Sequence, residues 1–275
     1  MIEGSLGLVG AGSLAWALAQ GLASSGLPTE RMWVCNRTGT GLERFDLLGM
    51  HTTALKAPLA GACTTLVLLM KPRDALAALA ELRPHVRSRH RILSCVAGLG
   101  TAAIDNALGG GTRVVRAMPN VAAEIGASIT AVAPGAHADA EDVQAAMALL
   151  ASLGPVVQVL ETELDAVTAV AGSGPAYFFL LMELLIDAAV QMGLERHLAE
   201  RLVRQTALGA ARLVAETERT PQALRISVTS PGGTTEAALA RLAEGGLGPL
   251  MTEAVERATE RSRELGRRWS TPSAG

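Results

Sequence analysis

Aromatic residues are scarce in this 275-residue chain, with three Trp, one Tyr and three Phe making up 3% of it. Packing therefore falls to Ala and Leu, a composition that suits helices lying close on one another or on a sheet. Cysteine is rare too. Cys35, Cys63 and Cys95 are widely spaced, with no C-x-x-C pair and no metal-ligand spacing. Cys35 and Cys95 stand in apolar, strand-like runs, where a reduced core thiol is expected. No long basic run exists and the net charge is −2, which argues against a nucleic-acid partner. The densest basic cluster, residues 83–91, reads as a solvated corner. Met1-Ile2-Glu3-Gly4 leads straight into a strand, without a secretory pattern. Glu183 and Asp187 break the best candidate for a membrane-spanning run. The expectation is a soluble, cytoplasmic protein without a membrane partner. Its length fits two modest domains or one large one, and 49% apolar residues allow a sizeable core.

The first half alternates between strand and helix patterns. Leu6-Gly7-Leu8-Val9 predicts a buried strand, followed by a helix to about Ser24. Between them Gly10, Ala11, Gly12, Ser13, Leu14 and Ala15 form a G-x-G-x-x-A turn. In a dinucleotide site the first glycine permits the turn, the second admits the pyrophosphate and the alanine keeps helix near strand. Met32 to Cys35 is the second strand, ending in Asn36, Arg37 and Thr38. An NAD site wants an acid there; an amide, a cation and a hydroxyl suit a 2′-phosphate, which predicts NADPH over NADH. The run 65–70 predicts a strand buried on both faces, ending at Met70, Lys71 and Pro72, with Pro72 opening a helix to about Leu82. Residues 92–96 predict another strand, ending at Ala97 and Gly98. Ligands gather at such strand ends in a parallel sheet. Strands near 113–118, 128–132 and 156–160, with a helix at 140–151, complete a doubly wound sheet.

After about Glu161 strand signals cease. Residues 165–170 predict a helix that the sequence Ala171-Gly172-Ser173-Gly174-Pro175-Ala176-Tyr177 breaks. A long helix then runs from Pro175 to about Met192, with Ser173 as a cap, and further helices cover 197–215, 235–244 and 249–267. Residues 270–275 read as a disordered tail. The helix at 175–192 is apolar on most of its circumference, which predicts burial in a homodimer. Between helical patterns stands Val228-Thr229-Ser230-Pro231-Gly232-Gly233-Thr234-Thr235. Glycine N–H groups beside hydroxyls at a helix start suit a carboxylate, although the same pattern also describes a plain capped loop.

Taken together these segments resemble the pyrroline-5-carboxylate reductase family. The resemblance is carried by residues 10–15, Asn36-Arg37, Lys71-Pro72, 94–98, 113–120, 165–168, 172–177 and 228–235, in the family's order and over almost the whole length. It implies an NADP-binding Rossmann domain (1–161) and an all-α dimerisation and substrate-binding domain (162–275), with dimers that assemble further, often into decamers. It also implies that Gly10 to Ala15, Asn36, Arg37, Met70, Lys71, Pro72, Ala97 and Gly98 contact cofactor. Glu161, Thr234 and Thr235 match substrate positions, with Ser230, Gly232 and Gly233 shaping the loop. Three departures stand out: Val121-Ala122 in place of Thr-Pro, and Lys56 and Ser227 each in place of Asn.

The reaction implied is reduction of (S)-1-pyrroline-5-carboxylate to L-proline, the last step of proline biosynthesis. A protonated imine is already electrophilic, so neither a metal nor a Ser-His-Asp set is required. Thr235 is the expected contact to the ring nitrogen. Two alternatives stay open at this point: a reductase of a six-membered cyclic imine, and a non-catalytic NADP-binding sensor or partner protein. Related 3-hydroxy-acid enzymes use a lysine in their helical region, and none occurs there in this chain.

Overall fold

The computed structural model describes residues 4–270, and for 268–270 the backbone alone. Its contacts divide the described residues into two units, one running to Ser173 and resuming at Arg257, the other Gly174–Glu256. The first unit is the doubly wound α/β sheet that the sequence predicts, and the second is all-α. The division falls later than residue 161, and only the part of the chain's last helix from Arg257 onward belongs to the first unit.

The first unit contains β1 (Leu6–Val9), α1 (Ser13–Ser24), β2 (Met32–Cys35), α2 (Glu43–Leu47), β3 (His51–Thr53), α3 (Lys56–Ala62), β4 (Thr65–Leu68) and α4 (Pro72–Leu82). It continues with β5 (Arg91–Ser94), α5 (Thr101–Leu108), β6 (Arg113–Met118), β7 (Thr130–Pro134), α6 (Ala140–Leu150), β8 (Val156–Gln158) and α7 (Leu164–Val167). The strands lie in the order β3-β2-β1-β4-β5-β6-β7-β8. All neighbours are parallel except β6 and β7. Side chains alternate between two buried faces, as a covered parallel sheet requires. Leu8, Val34, Val67, Leu93 and Val115 pack into one core, and Val9, Leu66, Leu68, Ile92 and Val114 into the other. Gly7 lets α3 approach, since a Cβ there would stand 2.7 Å from Leu59 Cδ2. Asp142, in the capping box of α6, receives Arg91 at 2.7 Å and Arg113 at 3.3 Å, tying that helix to β5 and β6. Cys35 and Cys63 are buried free thiols, Cys95 is half-buried, and burial pushes the Cys63 thiol up to about 12.

Three helices carry no clear sequence signal. In α3, Pro58 and Gly61 act as breakers; α5 and α10 (Pro221–Ser227) are only eight and seven residues long.

The predicted break at 171–177 is absent. Residues Thr168–Gly172 form a π-helical turn, with Ser173 N–H donating to Thr168 O at 2.8 Å, and α8 (Gly174–Gln191) follows directly. Pro175 has no N–H to return to the carbonyl of Ala171. That carbonyl accepts instead from Asn120 Nδ2 at 3.1 Å. The strand-end loop therefore supplies the donor that proline removes, and the helix runs on. Glu161–Gln191 is consequently one helix, long and apolar enough by length and composition to cross a membrane. Glu183 and Asp187 do not shorten it, contrary to the sequence expectation.

The second unit holds α8, α9 (Arg196–Glu216), α10, α11 (Thr234–Glu244) and the start of α12 (Leu247–Ser270). Helices α8 and α9 pack together. Gly174 is the one buried residue among the described residues of α8, and Phe178 and Phe179 are 66% and 59% exposed. The end of α12 belongs to the first unit, where Ser262 Oγ donates to Asp165 Oδ1 at 2.6 Å. Ser270 closes α12, so the tail predicted over 270–275 lies, beyond Ser270, outside the described residues, as do residues 1–3.

Asn120→Ala removes the donor to Ala171 O and also the acceptor for Ala122 N–H. It should lower unfolding stability by about 1–3 kcal/mol, measured by denaturant titration. An unchanged midpoint would contradict this account of the π turn.

Candidate functional sites

Strand order reverses at β1 and β4, so their carboxyl ends open the crevice where such sheets bind ligands. Gly10 makes the turn after β1 at φ 118°, and a Cβ there would stand 2.9 Å from the Leu69 carbonyl. Gly12 has no neighbour within 4 Å of its would-be Cβ, leaving the backbone approachable. It is the N-cap of α1 and supplies no capping side chain, and the first turn of α1 has no acidic residue. The first N–H groups are thus offered to an anion. Ala15, in the first turn of α1, is fully buried. Ser13 and Leu14 line a cavity of about 300 Å³ with Pro119, Asn120 and Val121. Val121 and Ala122 begin a short 3-10 turn in which Ala122 N–H donates to Asn120 Oδ1 at 3.0 Å; a proline at 122 could not do this.

The end of β2 opens a second cavity of about 260 Å³, lined by Gly10, Asn36, Arg37, Thr38, Lys56 and Met70 together with Arg73, Asp74 and Glu81. Asn36 spends its amide within the turn, donating to Thr40 O at 2.7 Å. Arg37 is exposed and forms no ion pair among the described residues. Lys56 is buried and pairs with Glu81 at 2.5 Å. Arg73 lies 3.6 Å from Asp74. Three cations against two carboxylates leave the cavity positive. Burial raises the Cys35 thiol, Lys56 pulls it down and Glu81 pushes it up. This lining fits a nucleotide phosphate. Lys71, exposed, is the N-cap of α4, and Pro72 is its first residue, as predicted.

Ala97 is exposed, but Gly98 answers to another constraint. At φ +75° its missing Cβ points at the backbone of Leu265 and Gly266, 3.5 Å away. A Cβ would meet α12 there only at ordinary contact distance, so it is the left-handed φ that favours glycine.

Glu161 is already committed. Its Oε1 accepts from Thr101 N–H at 2.8 Å, its Oε2 from Thr101 Oγ1 at 2.6 Å, and Arg116 stands 3.5 Å away. It therefore caps α5, whose N-cap Gly100 has no side chain to do so. A carboxylate here is gripped by the N–H and hydroxyl of a threonine at the first position of a helix.

The second unit repeats the start of that pattern. Gly233 is the N-cap of α11, without a capping side chain, and Thr234 is the first helical residue. Thr234 is exposed and Thr235 half-buried. The glycines themselves serve the turn. Gly232 adopts φ +72° and its N–H donates to Glu236 Oε2 at 2.7 Å. Gly233 N–H donates to Ser230 O at 3.0 Å, and a Cβ at 233 would stand 2.5 Å from Ser230 Oγ. The donors left for a ligand are those of Thr234 and Thr235, not the glycine N–H groups that the sequence suggests. Ser227 ends α10 by donating to Leu224 O at 2.8 Å.

The structure brings Gly10, Asn36, Arg37, Thr38 and Met70 to one cavity. Sequence reasoning missed the Glu81 partner of Lys56, the commitment of Glu161 and the hydrogen bonds from Arg44 on α2 to the glycine turn. No group of three or more potential metal ligands occurs among the described residues.

Comparison with known proteins places these features in one family. A family profile described as "Pyrroline-5-carboxylate reductase dimerisation" matches residues 161–265, and one described as "NADP oxidoreductase coenzyme F420-dependent" matches 5–98. The chain is 37% identical to the pyrroline-5-carboxylate reductase of Methanosarcina acetivorans over 265 residues, covering 96% of this chain and 98% of that one. It superimposes on a pyrroline-5-carboxylate reductase structure from Coxiella burnetii with a TM-score of 0.91 at 36% identity, covering 96% of this chain and 99% of that one. A pyrroline carboxylate reductase structure from Plasmodium falciparum with NADP bound matches with a TM-score of 0.85 at 28% identity, over 97% and 99% of the two chains. The chain belongs to the pyrroline-5-carboxylate reductase family, NAD(P)H-dependent oxidoreductases that act on a CH–NH bond.

Proposed function

We propose that the protein reduces the C=N bond of (S)-1-pyrroline-5-carboxylate to L-proline with NADPH, closing proline biosynthesis. One observation carries the substrate assignment: Gly233-Thr234 opens α11 as Gly100-Thr101 opens α5, and at α5 the group bound is a carboxylate. The substrate's acid group takes the place at α11 that Glu161 takes at α5. Thr234 grips it through N–H and hydroxyl, Ser230, Gly232 and Gly233 set the turn, and the Thr235 hydroxyl meets the ring nitrogen. Glu161 contributes by fixing the start of α5.

NADPH supplies the hydride when bound. The chain's own residues bind and orient it. The first N–H groups of α1, at Gly12, Ser13 and Leu14, face the pyrophosphate, with Gly10, Ala11 and Ala15 shaping the turn. Arg37, Asn36 and Thr38 meet the 2′-phosphate, beside Lys56 in the positive cavity. Met70, Lys71, Pro72, Ala97 and Gly98 border the crevice at the ends of β4 and β5. Holding the imine against the reduced ring supplies most of the rate.

Residues 1–161 form the NADP-binding domain and 162–275 the dimerisation and substrate domain. The protein acts as a cytoplasmic homodimer that associates further, up to a decamer. Support comes from the exposed apolar face of α8 and from the dimerisation profile over 161–265. We assign the long apolar helix to this subunit interface and not to a bilayer.

NADPH absorbance should fall with pyrroline-5-carboxylate, faster than with its six-membered analogue and faster than NADH under the same conditions. Equal use of NADH would remove the 2′-phosphate assignment. Arg37→Ala should erode the preference for NADPH by about tenfold, the loss of a charge-assisted contact. Thr235→Ala should lower kcat/KM by about tenfold, one hydrogen bond to a charged group. An unaltered kcat/KM would refute the role given to Thr235.

A further inference from the structure

The short helix α2 sets a cation on the glycine turn from 32 residues away. Arg44 Nη2 donates to Gly12 O at 3.0 Å and to Ala11 O at 2.6 Å. Its guanidinium lies 5.1 Å from the ring centroids of both Trp16 and Phe45, which meet edge-on at 5.3 Å. Cation–π contact with two rings holds the side chain over the turn. Arg44 Nε is buried without a hydrogen-bond partner, so the position is kept in spite of an unsatisfied donor. Phe45 itself is fully buried, which anchors α2 beneath the arginine.

The consequence follows from peptide geometry. In a planar trans peptide the C=O and the next N–H point in opposite directions. Holding the Ala11 carbonyl therefore aims the Gly12 N–H away from Arg44. Holding the Gly12 carbonyl, which also accepts from Trp16 N–H at 3.0 Å, does the same for the Ser13 N–H. Ala11 precedes α1, so its carbonyl lies outside the helix ladder. A turn built on Gly10 and Gly12 is otherwise soft, and a ligand would have to order it on binding.

We infer that Arg44 is a positioning residue for the cofactor: it clamps the Ala11 and Gly12 carbonyls so that the Gly12 and Ser13 N–H groups face the pyrophosphate of the dinucleotide. This rests on reading the first unit as the NADP site. The clamp serves the part of the ligand that NADP and NAD share, whereas Arg37 serves the part in which they differ.

Calorimetric titration of the full-length protein with NADP⁺, NAD⁺ and 2′-AMP separates the two. Arg44→Met should weaken NADP⁺ and NAD⁺ by the same factor, about tenfold, and leave 2′-AMP unchanged because it has no pyrophosphate. Arg44→Lys keeps the charge without the planar fork and should recover part of the loss. If the methionine variant does not fold, the lysine variant carries the test: weaker for both dinucleotides and unchanged for 2′-AMP. Unchanged dinucleotide affinity would overturn the inference. A loss confined to NADP⁺ and 2′-AMP would make Arg44 a 2′-phosphate contact, and an equal loss of all three ligands would make it a scaffold residue; either result also overturns it. Failure of the NADP reading shows separately, as Arg37→Ala leaving NADP⁺ and 2′-AMP affinity intact.

Discussion

A carboxylate held by a threonine at the first position of a helix is the interaction from which the site can be understood. Helices α1, α5 and α11 each begin at a glycine N-cap: Gly12, Gly100 and Gly233. None of the three glycines offers a side chain to the free N–H groups behind it. Elsewhere the chain satisfies such groups locally, with the Asp139–Asp142 capping box at α6 and Thr220 at α10. At α5 the anion comes from the protein itself, as Glu161. On the function proposed above, the helix starts at α1 and α11 receive groups the protein does not contain. A pyrophosphate and a small acid are what a dinucleotide-dependent reductase of an imino acid must hold.

The remaining structure keeps these helix starts in place. The two buried faces of the sheet fix α1 against β1, and Gly10 presses the turn onto the Leu69 carbonyl. Arg44, stacked on Trp16 and Phe45, holds the carbonyl side of the turn. In the second unit the work is done by the loop. Gly232 and Gly233 donate to Glu236 and to Ser230 O, which closes the turn and leaves the threonines free. No strong base, metal cluster or perturbed acid is needed, because a protonated imine accepts hydride once it is oriented.

Much of this was legible in the sequence, and what was not has a physical cause. The β1 turn, the strand end at Arg37 and the loop at 228–235 each combine glycine with a local period, so they read directly. Arg37 and Thr38 do line one cavity with Gly10 and Met70 at the end of β2. Long-range pairings did not read. Nothing near Glu161 announces that Thr101 will take both its oxygens, and nothing near Asn120 announces the carbonyl of Ala171. The run 171–177 looked like a break because proline and glycine usually end helices; here a donor from β6's end loop makes up the lost hydrogen bond. Gly98 was read for a ligand, and its φ of +75° also favours glycine whatever binds there. The glycines of the 228–235 loop were read as donors to substrate and are used by the turn.

The central claim is that the start of α11 grips the acid group of the substrate. A crystal structure of the protein with L-proline bound tests it directly. The account predicts a carboxylate oxygen within hydrogen-bond distance of the Thr234 N–H and hydroxyl, arranged as Glu161 is on Thr101. A proline carboxylate bound elsewhere, with Thr234 and Thr235 facing solvent, would contradict it.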